Sequence, residues 1–213
     1  MRSLRLRLAS TIAMLGSSSL SCAGQSHTAK MATPPTDIAA LVRLPDTDEG
    51  LPGAGPIRRY EGFAEHWRER RLAWSRRVAE DQGAVVFVGD SITEGWGDDM
   101  GRSFPGLKVA NRGIGGDTSR GVLIRLDGDV LALHPRGVVI LVGTNDVEEG
   151  APPDTIAGNV ALVLEALRAS DPALPILLCE VFPSSPSQRR PRDRITRLNQ
   201  RYASLVSGKP QVT

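Results

Sequence analysis

Three short stretches of this sequence assemble residue types that can attack or stabilise a carbonyl group. The first is Gly89-Asp90-Ser91, continued by Ile92-Thr93-Glu94-Gly95. The second is Asn111-Arg112-Gly113-Ile114-Gly115-Gly116-Asp117-Thr118, and the third is Gly143-Thr144-Asn145-Asp146. Ser91 offers a hydroxyl nucleophile where a tight turn projects it, with its own backbone N–H at a helix start. Gly115 and Gly116 let the backbone approach a bound molecule closely and supply N–H donors. Asn145 brings a side-chain amide that can donate to a developing negative oxygen. Each has an ordinary alternative: a serine N-cap worth about 1 kcal/mol of helix stability, glycines that only make a turn, and an Asx-type turn at Asn145. Taken together, one hydroxyl and three sets of donors are the parts of an acyl-transfer site.

The elements that must position these loops are legible from hydrophobic pattern. Residues 84–88, 107–110, 138–142 and 176–181 are short, apolar, β-branched-rich runs, the signature of strands covered on both faces of a parallel sheet. Between them, Val122, Leu123 and Leu126 recur at helical spacing in residues 118–126. Ile156, Val160, Val163, Leu164 and Leu167 do so in 155–169, where Asp154 reads as the cap and Asp171-Pro172 as the stop. Residues 193–205 repeat the pattern with Ile195, Leu198, Tyr202 and Leu205. Ahead of all of these, Phe63, Trp67, Trp74 and Val78 lie among arginines in residues 58–82, an amphipathic helix with its aromatics in the core and His66 as a surface or packing residue. Strand-helix alternation predicts an α/β domain of three layers, α/β/α, with right-handed crossovers. In such sheets ligands bind beyond the carboxyl ends of the strands, which is where all three loops fall.

Composition narrows the function classes. Twenty-six basic against 24 acidic residues in 213 leave a formal charge of +2, so no polybasic nucleic-acid surface is expected. Two cysteines, Cys22 and Cys179, exclude a disulfide-stapled miniprotein and a four-cysteine zinc module. Three scattered histidines (His27, His66, His134) argue against a metal centre. Cys179, inside an apolar run, reads as a packing residue. Gly113-Ile114-Gly115-Gly116 begins like a dinucleotide loop, but Thr118 stands where that motif needs glycine, and no P-loop is present. The acid pairs Asp98-Asp99 and Glu148-Glu149 read as solvated charge, and residues 184–194 as a mobile loop.

The N-terminus reads as an address. Arg2, Arg5 and Arg7 precede an apolar stretch too short for a membrane span, then a small polar run, so residues 1–23 are expected to be an export signal leading to the periplasm or outside the cell. Leu20-Ser21-Cys22 is also similar to a lipoprotein box, in which Cys22 would carry lipid and anchor the protein to a membrane. Residues 24–57, broken by proline and glycine, read as a flexible tether without chemistry, and 58–213 as the domain.

In order and spacing, Val88-Gly89-Asp90-Ser91-Ile92-Thr93, Gly115-Gly116-Asp117-Thr118 and Gly143-Thr144-Asn145-Asp146 resemble the first three sequence blocks of the SGNH or GDSL hydrolases. The stretches NRGIGGDTSRGVLIRL and VVILVGTND are especially similar to the branch holding the platelet-activating-factor acetylhydrolase catalytic subunits and their bacterial esterase relatives. The resemblance implies a flavodoxin-like five-stranded sheet, no cofactor and ester hydrolysis through an acyl-enzyme. It implies Ser91 as nucleophile, with the Ser91 N–H, the Gly116 N–H and the Asn145 side chain as oxyanion hole. A small acyl ester is the implied substrate, with acetyl groups on carbohydrate or lipid foremost.

The resemblance also calls for a late Asp-x-x-His segment, and no histidine follows Asp193. His134 precedes a strand and so belongs at the sheet end opposite Ser91, and His27 sits in the tether. The ending at Val212-Thr213 reads as the opening of a fifth strand, so the expectation is a chain cut short, lacking its last strand and C-terminal helix. Such a chain would be nearly inert and less stable than a complete one. A noncatalytic binding or assembly module that keeps the pocket is the alternative.

Overall fold

The structure, a computed structural model, describes residues 38–184 and 189–213. The proposed export signal, Cys22, His27 and the first part of the expected tether lie outside them. The chain order is α1 (Ile38–Val42), α2 (Glu61–Ser75), β1 (Val85–Gly89), α3 (Ser91–Glu94), β2 (Val109–Gly113), α4 (Ser119–Asp129), β3 (Gly137–Leu141), α5 (Thr144–Glu148), α6 (Pro153–Ser170), β4 (Ile176–Leu178) and α7 (Arg192–Val206). Four parallel strands form one sheet in the order β2-β1-β3-β4, and Val212 continues it as a parallel bridge to Ile176. This is the α/β architecture that the strand-helix alternation predicts. The register aligns Gly89 with Gly113 on one side and with Leu141 on the other. The three motif loops therefore leave the sheet at the same level.

Period-two alternation decides which side chains enter the core. Val86, Val88, Ala110, Val138, Ile140, Ile176 and Leu178 point to one face and are buried with apolar residues of α4, α6 and α7, Leu126, Leu164 and Leu198 among them. The opposite face is covered less completely. There Phe87 stacks on Phe104 at 5.0 Å between ring centroids, but Val139 and Leu141 are half-buried and Leu177 is 45% exposed. On that side α3 and a 3-10 turn at Met100–Ser103 lie beside β1 and β2. Truncation should report this asymmetry. Ile140→Ala is expected to cost about 2–5 kcal/mol in chemical denaturation, because it leaves a cavity in the closed layer, whereas Leu177→Thr should stay within about 0.5 kcal/mol.

Two further readings are corrected. The tether does not extend to residue 57: from Ile38 onward the chain is laid along the domain. Leu44 is buried against Phe63, Trp67 and Trp74, Arg120 reaches the Asp48 carboxylate at 2.5 Å, and Asn159 accepts from the Ala54 N–H at 3.0 Å. Proline and glycine break periodicity without preventing such side-chain anchoring. Asp154 does not cap α6, which starts from Pro152; it lies in the first turn and pairs with Arg201 at 2.6 Å. Cys179 follows β4 and is half-buried, and burial raises its thiol.

Candidate active site

Asp90 is the cap: its carboxylate accepts from the Ile92 N–H at 2.9 Å, so Ser91 becomes the first residue of α3. The Ser91 side chain is exposed, and its hydroxyl has no hydrogen-bond partner among the described residues. α3 is a single turn, too short for a strong dipole, and the donor at this position is the Ser91 N–H itself, which also meets no acceptor among the described residues.

The second loop is bound to the first by contacts that require its residue types. A Cβ on Gly113 would fall within 3.0 Å of the Glu94 backbone nitrogen and the Thr93 carbonyl carbon, so only glycine lets α3 rest on the end of β2. Asn111, buried, donates to the carbonyls of Thr93 and Gly97 at 2.9 Å each and fastens the far end of α3. The Gly115 N–H donates to the Glu94 carboxylate. Gly116 takes a left-handed φ of 87°, and its N–H has no acceptor among the described residues. A methyl at Gly115 would lie 3.8 Å from Ser91 Cβ, which puts the two loops side by side.

Asn145 completes the rim. It is buried at the start of α5, and its amide donates to the Asp117 carbonyl across the gap at 2.8 Å, leaving one amide hydrogen. Its oxygen faces Arg58 Nη1 at 3.4 Å. A cross-loop bond of this kind is no Asx turn. Ser91, Gly116 and Asn145 each follow the end of a strand; Ser91 and Gly116 keep backbone N–H donors without an acceptor among the described residues, and Asn145 keeps one amide hydrogen.

Several residues around the rim were not legible in the sequence. Glu148 and Glu149 are ion-paired to arginines rather than standing alone in solvent. Glu148 pairs with Arg58 at 3.3 Å, Arg189 at 3.2 Å and Arg190 at 2.5 Å, and Glu149 with Arg58 at 2.7 Å. Asp98 likewise pairs with Arg70 at 3.1 Å. His66, expected as a surface or packing residue, has its Nε2 3.0 Å from the Glu94 carboxylate and stands beside Gly115. With Nε2 so engaged, the ring is not poised on Ser91. His134 lies exposed ahead of β3 with φ 44°, at the opposite end of the sheet. The arginine-rich loop after β4 reaches the rim through Arg189 and Arg190, and residues 185–188 lie outside the described residues.

Behind the rim are buried carboxylates. Burial raises Asp90 from 3.8 to about 6, against the pull of the Ile92 N–H and the more distant Arg190 and Arg58. Burial also lifts Asp146 to about 6, against the Ser119 hydroxyl and N–H that it accepts. A raised folded-state value means that Asp90 contributes stability fully below about 3.8, and that this contribution is lost as pH rises through about 6. Asp90→Asn, which keeps the acceptor for Ile92, is therefore expected to gain stability over the parent by about 2 kcal/mol on going from pH 4 to pH 8. Urea denaturation at both pH values measures this, and equal gains at both would contradict it.

Among the described residues no three His, Cys, Asp or Glu side chains gather as metal ligands, and no helix is long and apolar enough to cross a membrane.

A parallel α/β sheet carrying a serine, a glycine turn and an asparagine on one rim defines a class, and comparison with known proteins identifies it. The chain matches the GDSL-like lipase/acylhydrolase family over residues 87–209 and belongs to that family. Human platelet-activating factor acetylhydrolase IB subunit alpha2 is 28% identical over 143 residues, covering 64% of this chain and 60% of that protein. The chain thus spans about 60% of the length of the first curated relatives it matches. A solved GDSL-like lipase from Bacteroides thetaiotaomicron is 30% identical, with 63% of this chain and 72% of that one covered and a TM-score of 0.52. A Streptococcus pneumonia structure described as a candidate platelet activating factor shares the fold at TM-score 0.64, with 22% identity over 71% of this chain and 75% of that one.

Proposed function

We propose that this chain carries the acyl-binding and nucleophilic half of a serine esterase acting on short acyl esters. Acetyl esters of lipid or carbohydrate are the foremost substrates, in keeping with the acetylhydrolase name of its relatives. The observation that carries this reading is the exposed Ser91 hydroxyl beside N–H donors at Ser91 and Gly116 that have no acceptor among the described residues. In the reaction, Ser91 Oγ attacks the ester carbonyl. The carbonyl oxygen, now negative, is held by the two N–H groups and the remaining Asn145 amide hydrogen. Collapse expels the alcohol and leaves an acyl-serine, which water then hydrolyses. Proton removal from Ser91 needs a base. With His66 tied to Glu94 and His134 at the other end of the sheet, the described residues set none on Ser91, so turnover by this polypeptide is proposed to be very slow.

The test is covalent labelling. A fluorophosphonate should modify the chain once, at Ser91, as read by intact mass and peptide mapping. Label on another serine, or none after prolonged incubation at pH 8 with free imidazole, sinks the reading. It would leave the alternative of a binding module that keeps the rim without the chemistry. Residues 1–23 are proposed to direct export, with Cys22 a lipidation position. Mass spectrometry of the mature N-terminus separates a lipid-modified Cys22 from a chain cleaved after Ala23.

A further inference from the structure

The sequence buries an arginine where an apolar side chain would be easier to accommodate. The Arg125 side chain on α4 is 0% exposed, with Trp67 and Trp74 rings 5.7 and 5.5 Å from its guanidinium carbon. Taking a charge out of water is costly, and replacing a buried ion pair by apolar residues of similar volume is often neutral or stabilising. Core packing alone therefore gives no reason for arginine here. What a guanidinium does that leucine or methionine cannot is to hold several acceptors at once in a rigid planar fork.

The acceptors that Arg125 holds are the roots of the candidate site. Its Nε donates to the Asp117 carboxylate at 2.8 Å, and its Nη2 donates to the carbonyl of Gly89 at 3.2 Å and to that of Arg112 at 2.9 Å. Gly89 ends β1 two residues before Ser91. Arg112 lies near the end of β2 and leads into the glycine turn. Asp117 follows Gly116 directly. Asp117 passes the constraint on, since its other carboxylate oxygen accepts from the Thr118 N–H at 2.9 Å and its carbonyl accepts from the Asn145 amide at 2.8 Å. Every proposed oxyanion donor is thus within two residues, or one hydrogen bond, of an acceptor fixed by Arg125 or Asp117.

We infer that the buried Arg125–Asp117 pair is a positioning unit that sets the spacing of the Ser91, Gly116 and Asn145 donors, and so the rate of acyl transfer at Ser91. The inference rests on the esterase reading above. Neither residue faces the substrate. Both act through the loops they hold, and the donors must be held to within about 0.5 Å to serve a developing oxyanion.

The test uses the same fluorophosphonate, followed by intact mass at several concentrations so that maximal labelling rate and half-saturating concentration are separated. In this reaction Ser91 Oγ forms a bond to phosphorus, fluoride leaves, and the serine proton goes to solvent or added imidazole. Arg125→Met, which fills the same space, is expected to lower the maximal rate at Ser91 by about 10–100-fold while the half-saturating concentration changes less than about threefold. Arg125→Lys, able to keep one of the three bonds, should recover part of the loss. Asp117→Asn keeps the shape and the carbonyl and loses the charge that grips the fork; it should slow labelling about tenfold, which preserves the test if Arg125→Met does not fold. Thermal melts confirm that each variant is measured folded. Wild-type rates in folded Arg125→Met or Asp117→Asn would overturn the positioning role and leave Ser91 as nucleophile untouched. A parent chain that takes no label at Ser91 would overturn both.

Discussion

Ser91→Ala is expected to abolish the imidazole-stimulated hydrolysis of p-nitrophenyl acetate by this chain. A serine hydroxyl attacks poorly unless a base takes its proton, and in a well-studied serine protease loss of the base alone lowers turnover about a millionfold. The proposed slow turnover rests on the same chemistry. His66 Nε2 is engaged by Glu94 and His134 is exposed at the far end of the sheet. Free imidazole at tens of millimolar can enter the open rim and act in place of the base. The chain should then release nitrophenol faster than imidazole alone, with an initial burst of acetyl-enzyme. In Ser91→Ala the rate should fall to that of imidazole in buffer, since the oxyanion donors remain but nothing attacks. Stimulation that survives the substitution would place the nucleophile elsewhere. His66→Ala is a useful companion. Because His66 braces Glu94, the stimulated rate is expected to fall only modestly, and loss of the slow unstimulated rate would contradict that role.

Gly89→Ala should be among the most damaging single methyls added to this domain. A Cβ at Gly89 would come within 3.0 Å of the Leu141 carbonyl oxygen and of the Thr93 hydroxyl, and the first of these is backbone in the neighbouring strand. Side chains can rotate away, but β3 cannot withdraw without breaking its ladder with β1, which pairs Gly89 with Leu141. Overpacking against rigid backbone costs about 1–3 kcal/mol or more. The Arg125 bond to the Gly89 carbonyl would be displaced as well. A loss of about 3–5 kcal/mol is expected in chemical denaturation. A stability within 1 kcal/mol of the parent would show that the strands at this point are not as tightly apposed as described. Glycine before the Asp-Ser pair is thus required by strand proximity.

Much of this protein was readable without coordinates. Apolar runs of strand length alternating with helical stripes announced a parallel α/β sheet, because the side-chain periods of strand and helix are local properties of the backbone. The three motifs announced the rim, because each follows a strand directly and parallel strands discharge their loops on one edge. The errors were of two kinds. Asp154 has a cap's residue type, but α6 takes Pro152 as its cap, two residues earlier, since proline fits the first turn of a helix. Proline and glycine make residues 24–57 look like a free tether, yet from residue 38 the irregular backbone is anchored at Leu44, Asp48 and Ala54 by partners elsewhere in the chain.

The amino-acid sequence by itself determined the element types, the layer architecture, the family blocks and the identity of Ser91, Gly116 and Asn145 as the residues to examine. Only the tertiary structure decided that Asp90 and not Ser91 caps α3, that Arg58 lies against Asn145, that Glu94 joins His66 to the glycine loop, and that Arg125 binds two strand-end carbonyls and the Asp117 carboxylate. Partners such as Arg58 and Glu149, 91 positions apart, or His66 and Glu94, 28 apart, meet because of strand order and helix placement. Charge pairing has no sequence period. Which arginine finds which carboxylate is settled when the sheet closes and desolvates them together.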